Sequence, residues 1–362
     1  MRILHMIPDI GLANGVMSVI LNYAKAMPSD IKFDVVYFHE TENNRKKDIE
    51  ELGGQVFKIG APGFATLKNK DIQNLFAQNP GRWSALHIHA PHFAIFIAPI
   101  AKRFGIDKIA VHCHSTWYSF YKSNQNRNKL LFNLGKPFTN QNFACGKEAG
   151  VFWYGKGNFD ELPNAVDCKS IAYDEQKRRQ KRAELGVDGK FVGGHLGRVH
   201  PPQKNHKFLL EIFAKVKESQ PDSVLLMAGA DEDEELLQLS AQLGIGDSVR
   251  FLGARTDVPD LLQAFDVFLF PSLWEGLPVS VVEAQASGLG VVMADTVTTE
   301  VCVTDKVTLL SLDDSAQNWA QKVIEYGKLP REDMYSLMKN SGWDIYTEAQ
   351  KLANYYKNGE LK

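Results

Sequence analysis

The chain has 362 residues, which is enough for two domains of ordinary size, and its composition is that of a globular protein. A formal net charge of −2 argues against bulk nucleic-acid binding, which needs an excess of basic groups. The four cysteines form no C-x-x-C pair, and no apolar run approaches the ~18 residues of a membrane-spanning helix, so we expect a cytoplasmic protein with reduced thiols.

Short apolar segments alternate with helical patterns through the first half of the chain. Strands are predicted at Ile3–Ile7, Ile31–Phe38, Gln55–Ile59, Ala85–His89, Lys108–His112, Asn142–Cys145 and Asp160–Leu162. This alternation is typical of a parallel sheet covered by helices, in which ligands bind beyond the carboxyl ends of the strands. The first loop, Asp9–Gly15, leads into a helix at Val16–Ala26, and we expect Gly15 to let a substrate approach the backbone closely.

Two pairs of histidines end neighbouring strands: His87 with His89, and His112 with His114. Because side chains alternate along a strand, each pair shares one face, and the strand-terminal His89 and His114 should face the ligand side. A metal site is one interpretation, since His is a common ligand, but no acidic residue joins the group. We therefore expect hydrogen-bonded histidines and no metal.

An aromatic segment, Trp117–Tyr121, and a basic segment, Lys122–Lys136, follow His114. The aromatic segment fits either a loop that contacts a sugar acceptor or a lipid, or the packed start of a helix. The basic segment fits either a solvated face or a surface for acceptor phosphates or an anionic membrane.

A boundary between two domains is predicted near the middle of the chain. Glu175–Leu185 reads as a helix with a basic run, and its single run with Glu and Ala favours a solvated helix over a nucleic-acid patch. Gly186–Gly189 then reads as a linker. The sequence thus predicts a first domain at 1–186 and a second domain at 187–343.

Two cations follow the first strand of the second domain. The strand is predicted at Phe191–Leu196, and Arg198 and Lys204 come after it. An arginine can bind two phosphate oxygens through its fork, while a lysine acts as a point charge, so the pair suits a diphosphate. The alternative is two ordinary surface cations.

Two further loops of the second domain are assigned by their position. Asp231–Glu235 invites comparison with metal-binding D-x-D motifs, but acidic residues at a helix start complement the helix dipole, so we expect no metal there. Gly253 opens the loop after a strand at Val249–Leu252, and its backbone is expected beside a nucleotide base.

The stretch Pro271–Gly288 holds two carboxylates, Glu275 and Glu283, between a buried strand and a short helix. Gly276 permits a close backbone approach, and Pro278 suits the first turn of the helix. The N–H groups at that helix start favour an anion such as a phosphate, with one carboxylate on each side to accept hydrogen bonds from hydroxyls. The alternative is an ordinary strand–loop–helix with two surface glutamates.

These segments together resemble retaining glycosyltransferase family 4, as found in bacterial capsule and exopolysaccharide synthesis. The motifs that carry the resemblance are Glu275-Gly276-Leu277-Pro278 with Glu283, Gly197-Arg198 with Gln203-Lys204-Asn205-His206, Leu162-Pro163-Asn164-Ala165-Val166-Asp167, and Val249-Arg250-Phe251-Leu252-Gly253. The resemblance spans nearly the whole chain. It implies the α/β GT-B fold, with two Rossmann-like parallel-sheet domains facing a central cleft, and a final helix at 344–362 that completes the first domain.

The resemblance also implies an activity and a set of site residues. The expected reaction moves a hexose from a nucleoside-diphosphate sugar, the likelier donor being a UDP-sugar, to a glycan or lipid-linked hydroxyl with retention, without metal or cofactor. The expected catalytic residues are Glu275, His114, Arg198 and Lys204. The expected donor-binding residues are Gly15, Arg198, Lys204, Gly253, Gly276, Leu277, Pro278 and Glu283.

Rival activities remain open at this point, as does a peripheral contact with the inner face of an anionic membrane. One rival is a nucleotide-sugar epimerase or a phosphorylase of similar fold, and another is a catalytically silent protein that binds a nucleotide sugar. No nucleophile is evident near the hexose, so we expect front-face attack rather than the double displacement of retaining glycosidases.

Overall fold

A computed structural model describes residues 1–12, 14–63, 70–119, 121–199, 202–229 and 232–361. The chain divides into two compact units. The first unit combines Met1–Ala165 with Ile345–Lys362, and the second unit is Val166–Asp344. Each unit is a Rossmann-like α/β domain.

The described part of the first unit contains a sheet of seven parallel strands. The strands are β1 (Arg2–Met6), β2 (Lys32–Tyr37), β3 (Val56–Lys58), β4 (Ala85–Ile88), β5 (Lys108–Cys113), β6 (Gln141–Ala144) and β7 (Asp160–Glu161). Their order in the sheet is β3-β2-β1-β4-β5-β6-β7. The chain therefore reverses its direction of growth between β1 and β4, and the loops after these two strands leave the sheet at a topological switch point.

Helices cover both faces of this sheet. They are α1 (Gly15–Ala26), α2 (Lys46–Glu51), α3 (Lys70–Gln78), α4 (Ala94–Arg103), α5 (Gln125–Gly135), α6 (Lys147–Tyr154) and the last helix, α15 (Ile345–Asn358). The central strands are buried on both faces, which is why they read as nearly continuous apolar runs. The last helix is fixed by Tyr356, which is fully buried and whose hydroxyl lies 2.6 Å from His87 Nδ1.

The described part of the second unit contains a sheet of six parallel strands. They are β8 (Phe191–Leu196), β9 (Ser223–Ala228), β10 (Val249–Phe251), β11 (Val267–Phe270), β12 (Gly290–Ala294) and β13 (Val307–Leu310). The order is β10-β9-β8-β11-β12-β13, so this sheet has its switch point between β8 and β11. The helices are α7 (Cys168–Ile171), α8 (Glu175–Leu185), α9 (His206–Ser219), α10 (Glu234–Gln242), α11 (Val258–Ala264), α12 (Val279–Ala286), α13 (Ala316–Tyr326) and α14 (Tyr335–Asn340).

The helix α8 belongs to the second unit, whereas the sequence predicted that it would end the first domain and be solvated. Two of its cations are buried: Lys181 pairs with Asp257 at 2.6 Å, and Arg182 bonds to the carbonyl of Ala264 at 2.8 Å. These contacts place residues 166–186 in the second unit and move the boundary from 186 to 165. Gly186 is the left-handed cap of α8 (φ +61°) rather than part of a linker.

The region after α12 departs from the prediction at two places. The strand β13 was not predicted, because it is short and only partly buried at the edge of the sheet. The sequence pattern also predicts a helix at Arg331–Asn340, whereas the helix begins at Tyr335. Arg331 instead donates to the backbone carbonyls of Ser287, Gln263 and Phe265.

None of the helices in the described residues is both long enough and apolar enough to cross a membrane.

Candidate active site

The segment from β11 to α12 forms the strand–loop–helix that the sequence predicted. β11 is fully buried, and the loop from 271 to 278 leads to α12, with Pro278 as its N-cap residue. Gly288 follows the helix with φ +75°, a conformation that suits glycine at this position. The free N–H groups at the start of α12 therefore lie at the carboxyl end of β11, beside the switch point of the sheet.

The carboxylate of Glu275 is held by two residues from the loop after β8. Lys204 Nζ lies 2.8 Å from Glu275 Oε1, and Gln203 Nε2 donates to Glu275 Oε2 at 2.9 Å. The lysine ammonium also lies 4.5 Å from the centre of the Phe270 ring. The two side chains of the ion pair are mostly buried, at 18% exposed for Lys204 and 8% for Glu275. The structure thus joins two of the predicted site residues directly.

Glu283 lies on α12, one turn in from its start. It is partly exposed, but its surroundings remove enough hydration to raise the pKa of its carboxyl to about 7. No hydrogen bond and no neighbouring charge contributes to that shift, so burial alone disfavours the ionised form. A ligand with hydroxyl donors would supply the hydrogen bonds that this carboxylate lacks.

Arg198 lies at the end of β8 and is exposed. It forms no ion pair with the residues that the structure describes. The loop that joins Arg198 to Lys204 includes residues 200–201, which lie outside the described residues.

Three glycines end three neighbouring strands: Gly197 after β8, Gly229 after β9 and Gly253 after β10. Gly229 (φ +79°) donates its N–H to the carbonyl of Gly253 (φ +60°) at 2.7 Å, and a Cβ on Gly229 would lie 3.3 Å from the carbonyl carbon of Gly197. A side chain on Gly229 would therefore crowd the backbone of Gly197. Gly197 belongs to one of the motifs in the sequence and Gly253 to a predicted loop, whereas no role was predicted for Gly229.

The loop between β11 and α12 also holds the predicted residues Gly276, Leu277 and Pro278. Leu277 is buried, at 7% exposed, and so fixes the loop to the core of the second unit. Asp231 of the acidic run lies outside the described residues. Asp233 from the same run caps α10 by accepting from the N–H of Leu236 at 3.1 Å, so at least this carboxylate has a structural role.

The first unit holds the other two predicted residues, Gly15 and His114. Gly15 is the first residue of α1 and is exposed, and a Cβ built on it meets nothing within 4 Å. The preceding Asn14 caps the helix by accepting from the N–H groups of Val16 and Met17. Gly15 is thus not required by packing.

His114 has partners that the sequence did not predict. Its Nε2 lies 2.9 Å from His89 Nδ1, and its Nδ1 lies 3.1 Å from Asn164 Oδ1. Both ring nitrogens are hydrogen-bonded, so a contact with a sugar or a phosphate would have to replace one of these bonds, and the role of His114 toward a donor stays a prediction. The aromatic segment that follows is partly packed: Tyr118 contacts Phe152, while Phe120 lies outside the described residues.

Comparisons with known proteins agree with this architecture. Residues 190–327, which lie in the second unit, match the family described as Glycosyl transferases group 1. The chain is 30% identical over 370 residues to a Bacillus subtilis (strain 168) protein named “Putative glycosyltransferase EpsF”, covering 98% of this chain and 96% of the relative. It is 35% identical over 139 residues to the Escherichia coli UDP-Gal:alpha-D-GlcNAc-diphosphoundecaprenol alpha-1,3-galactosyltransferase, covering 37% of this chain and 36% of the relative.

Solved structures share the fold at lower identity. The crystal structure of Anabaena HepE in complex with UDP and glucose superposes with a TM-score of 0.79 at 19% identity, over 99% of this chain and 100% of HepE. WaaG, a glycosyltransferase involved in lipopolysaccharide biosynthesis, superposes with a TM-score of 0.64 at 14% identity, over 99% and 100% of the two chains. Since similarity to a glycosyltransferase extends over nearly the full length of both sequences, the chain belongs to the group 1 glycosyltransferases, with two Rossmann-like parallel-sheet domains of the GT-B kind.

Proposed function

We propose that this glycosyltransferase moves a hexose from a UDP-sugar to a hydroxyl of a glycan or lipid-linked acceptor in bacterial surface-glycan synthesis, with retention and without a metal ion at the diphosphate. The observation that carries the proposal is the ion pair between Lys204 and Glu275, which joins the loops after β8 and β11 at the switch point of the second unit. Ligands of open α/β sheets bind at such points.

Each side chain of this site has a task in the proposed reaction. Arg198 and Lys204 take the diphosphate, together with the N–H groups at the start of α12. Glu283 accepts hydrogen bonds from the ribose hydroxyls, and Glu275 accepts them from the hexose. His114 contacts the hexose or the departing phosphate, as the sequence resemblance implies, and its ring exchanges one of its two hydrogen bonds to do so.

The proposed bond changes retain the configuration of the anomeric carbon, as the sequence resemblance implies. The bond between the anomeric carbon and the diphosphate oxygen breaks, and the acceptor oxygen bonds to the same face of that carbon. The acceptor hydroxyl gives its proton to the departing phosphate oxygen, so no protein nucleophile or base is needed. Negative charge grows on the diphosphate as the bond breaks, and two fixed cations can stabilise it there in place of a metal.

The names of similar proteins support the choice of donor and acceptor. The Escherichia coli relative is named for a UDP-sugar donor and an undecaprenol-diphosphate acceptor. A Campylobacter jejuni relative, 35% identical over 127 residues, is also named for a diphospho-undecaprenol acceptor. HepE was crystallised with UDP.

A peripheral membrane contact is part of the proposal, since a lipid-linked acceptor lies at a membrane. The helix α5 exposes Leu130 (57%) and Leu134 (47%), which share one stripe with the exposed Arg127. Lys129 and Lys136 are also exposed on this segment. Apolar side chains beside basic groups are typical of surfaces that bind anionic lipid.

The test combines binding with turnover. UDP, GDP and ADP are compared in a thermal-shift experiment, and UDP-glucose, UDP-galactose and their N-acetyl forms are then assayed for transfer and for hydrolysis. Stabilisation by UDP alone, with transfer from one UDP-sugar, supports the proposal. Recovery of an epimerised donor supports an epimerase, and UDP binding without hydrolysis or transfer supports a binding protein.

Removal of the cations tests the catalytic assignment. Arg198→Ala and Lys204→Met should each lower kcat by ~10²-fold, as loss of other preorganised charge stabilisers does. Lys328→Met, which removes an exposed cation outside this site, is the control and should keep kcat within about twofold of the unchanged enzyme. A small effect of both site variants would contradict the assignment.

A further inference from the structure

Gln203 belongs to the motif that precedes α9, and the proposed function gives a task to its neighbour Lys204 but none to Gln203 itself. It lies in a single turn of 3₁₀ helix, Pro202–Lys204. Asn205 follows this turn with φ +56°, and among the described residues it is the one residue other than glycine in the left-handed region. From this turn the side chains of Gln203 and Lys204 both reach the loop that follows β11.

Gln203 contacts three consecutive residues of that loop. Its backbone carbonyl accepts from the N–H of Leu273 at 2.8 Å. Its side-chain Nε2 donates to the carbonyl of Trp274 at 2.8 Å and to Oε2 of Glu275 at 2.9 Å. A primary amide nitrogen carries two hydrogens, so both are used and the orientation of the amide is fixed. The side chain thus binds the loop backbone and the carboxylate at once.

The two oxygens of the Glu275 carboxylate have partners of different charge. Oε1 lies 2.8 Å from the Lys204 ammonium group, whereas Oε2 accepts from the Gln203 amide. A diphosphate attracts the ammonium group, but the amide carries no net charge for it to attract. A donor that draws Lys204 toward its phosphates therefore leaves the bond from Gln203 in place.

We propose that Gln203 is a positioning residue for hexose transfer, which holds the Glu275 carboxylate toward the hexose once Lys204 binds the diphosphate. The inference rests on the proposed function, because it uses the tasks assigned there to Glu275 and Lys204. Gln203 acts through Glu275 and needs no contact with the donor. An acceptor that is oriented in advance does not have to turn during the reaction, and a displacement of ~1 Å from the reactive geometry can cost ~10²-fold in rate.

The alternative is that Gln203 only attaches the loop to the turn. The loop has other attachments, since the Leu273 N–H binds a backbone carbonyl and Thr296 Oγ1 donates to the carbonyl of Ser272 at 2.7 Å. Removal of the amide therefore leaves the loop backbone held at 272 and 273 but frees the Glu275 carboxylate to turn. A loosened loop would weaken UDP binding, because it leads to the start of α12, whereas a misdirected carboxylate affects transfer alone.

The experiment measures kcat and KM for transfer from a UDP-sugar, beside UDP affinity by calorimetry, on the full-length protein. Gln203→Met keeps the length of the side chain but removes both donated bonds. We expect kcat to fall about 10- to 100-fold and UDP affinity to stay within about twofold. The matched control is Gln238→Met on α10, because the exposed Gln238 also donates to a carboxylate, that of Glu234 at 3.2 Å. This control should change neither quantity.

A double-mutant cycle tests whether Gln203 acts through Glu275. The effect of Gln203→Met on kcat is measured in the unchanged protein and again in Glu275→Ala, which has no carboxylate to hold. In that background the effect should shrink to about threefold or less, because the two residues form one unit. Effects of the two substitutions that multiply would show that Gln203 acts independently, and would overturn the proposal.

The outcomes separate this inference from the proposed function. Absence of transfer by the unchanged protein overturns both. An unchanged kcat of Gln203→Met, beside an active unchanged protein and with folding verified by circular dichroism, overturns the positioning role alone. Weaker UDP binding that accounts for the whole loss of activity assigns Gln203 to the loop and overturns the role as well. Gln203→Leu, which also lacks the amide, replaces the methionine variant if that variant does not fold.

Discussion

Lys204 and Glu275 form an ion pair with 2.8 Å between Nζ and Oε1, although 71 positions separate them in the sequence. The cation assigned to the diphosphate is therefore balanced by the carboxylate assigned to the hexose. Binding of the donor must redistribute this contact, because a phosphate competes with Glu275 for the ammonium group. The pair links the two halves of the proposed donor site electrostatically.

The first prediction follows from this competition. Glu275→Gln removes the anion that offsets Lys204, so UDP should bind as tightly as before or a few-fold tighter. Transfer should fall, because the hexose hydroxyls lose one hydrogen-bond acceptor oxygen and the negative charge of the other. The measurement is UDP affinity by calorimetry beside kcat. Glu211→Gln, which neutralises an exposed carboxylate on α9, is the control. Weaker UDP binding by Glu275→Gln would show that Glu275 serves the nucleotide rather than the sugar.

The second prediction concerns the stability of the protein without a donor. The folded pKa of Glu283, about 7, lies above its unfolded value of 4.5, so the stabilisation that protonated Glu283 gives is complete below pH 4.5 and is lost as the pH rises through 7. Glu283→Gln keeps a neutral side chain at every pH. At pH 8 it should raise the free energy of unfolding by on the order of 2 kcal/mol, and near pH 4.5 it should have little effect. Urea unfolding at both pH values measures this, and an equal effect at both would contradict the assigned pKa.

The third prediction concerns the effect of the Glu283 carboxyl on UDP binding. Ribose hydroxyls donate to the ionised form, so UDP affinity should rise between pH 6 and 8, and binding below pH 7 should release a proton. Calorimetry in two buffers with different ionisation enthalpies measures the release. Glu283→Gln should weaken UDP binding and abolish the proton release attributed to this group. A pH dependence that persists unchanged in this variant would assign it to another group.

The fourth prediction concerns metal at the diphosphate. Since Arg198 and Lys204 supply the positive charge, transfer should continue in excess EDTA. Loss of activity that Mg²⁺ or Mn²⁺ restores would contradict the assignment of the diphosphate to these two cations.

The fifth prediction concerns membranes. The protein should sediment with anionic liposomes and dissociate at high salt, because screening weakens contacts between basic groups and lipid. Leu130→Gln should reduce sedimentation, whereas Leu337→Gln, which replaces an exposed leucine on α14, should not. Equal binding to neutral liposomes, or none to either kind, is the contrary outcome.

Much of the fold could be predicted because parallel strands are buried on both faces. β8 was predicted to the residue, and two Rossmann-like sheets are confirmed. β13 was missed because its partly exposed edge position leaves only a weak apolar signal. The domain boundary was misplaced because a glycine such as Gly186 suits a linker and a helix cap equally. The partners of Lys181 and Arg182 distinguish the two, and the sequence does not show them.

The candidate site was predictable by type of residue but not by contact. Arg198, Lys204 and Glu275 were identified from their positions after strands. The pairing of Lys204 with Glu275 depends on β8 and β11 being neighbours, which no local pattern reveals. In the same way, Asn164 lies 50 positions from His114, so no local pattern predicts its hydrogen bond to that ring. The roles of all the predicted site residues toward a donor, including Arg198, Lys204 and Glu275, stay predictions.

The second unit interrupts the first unit in the sequence. Residues 1–165 precede it, and α15 follows Asp344 and returns to the first unit. During synthesis, residues 1–165 therefore leave the ribosome long before the helix that carries Tyr356, the partner of His87. The second unit is contiguous, so it can complete its core first even though it is made later. The first unit thus stays incomplete until α15 has been made, after every residue of the second unit.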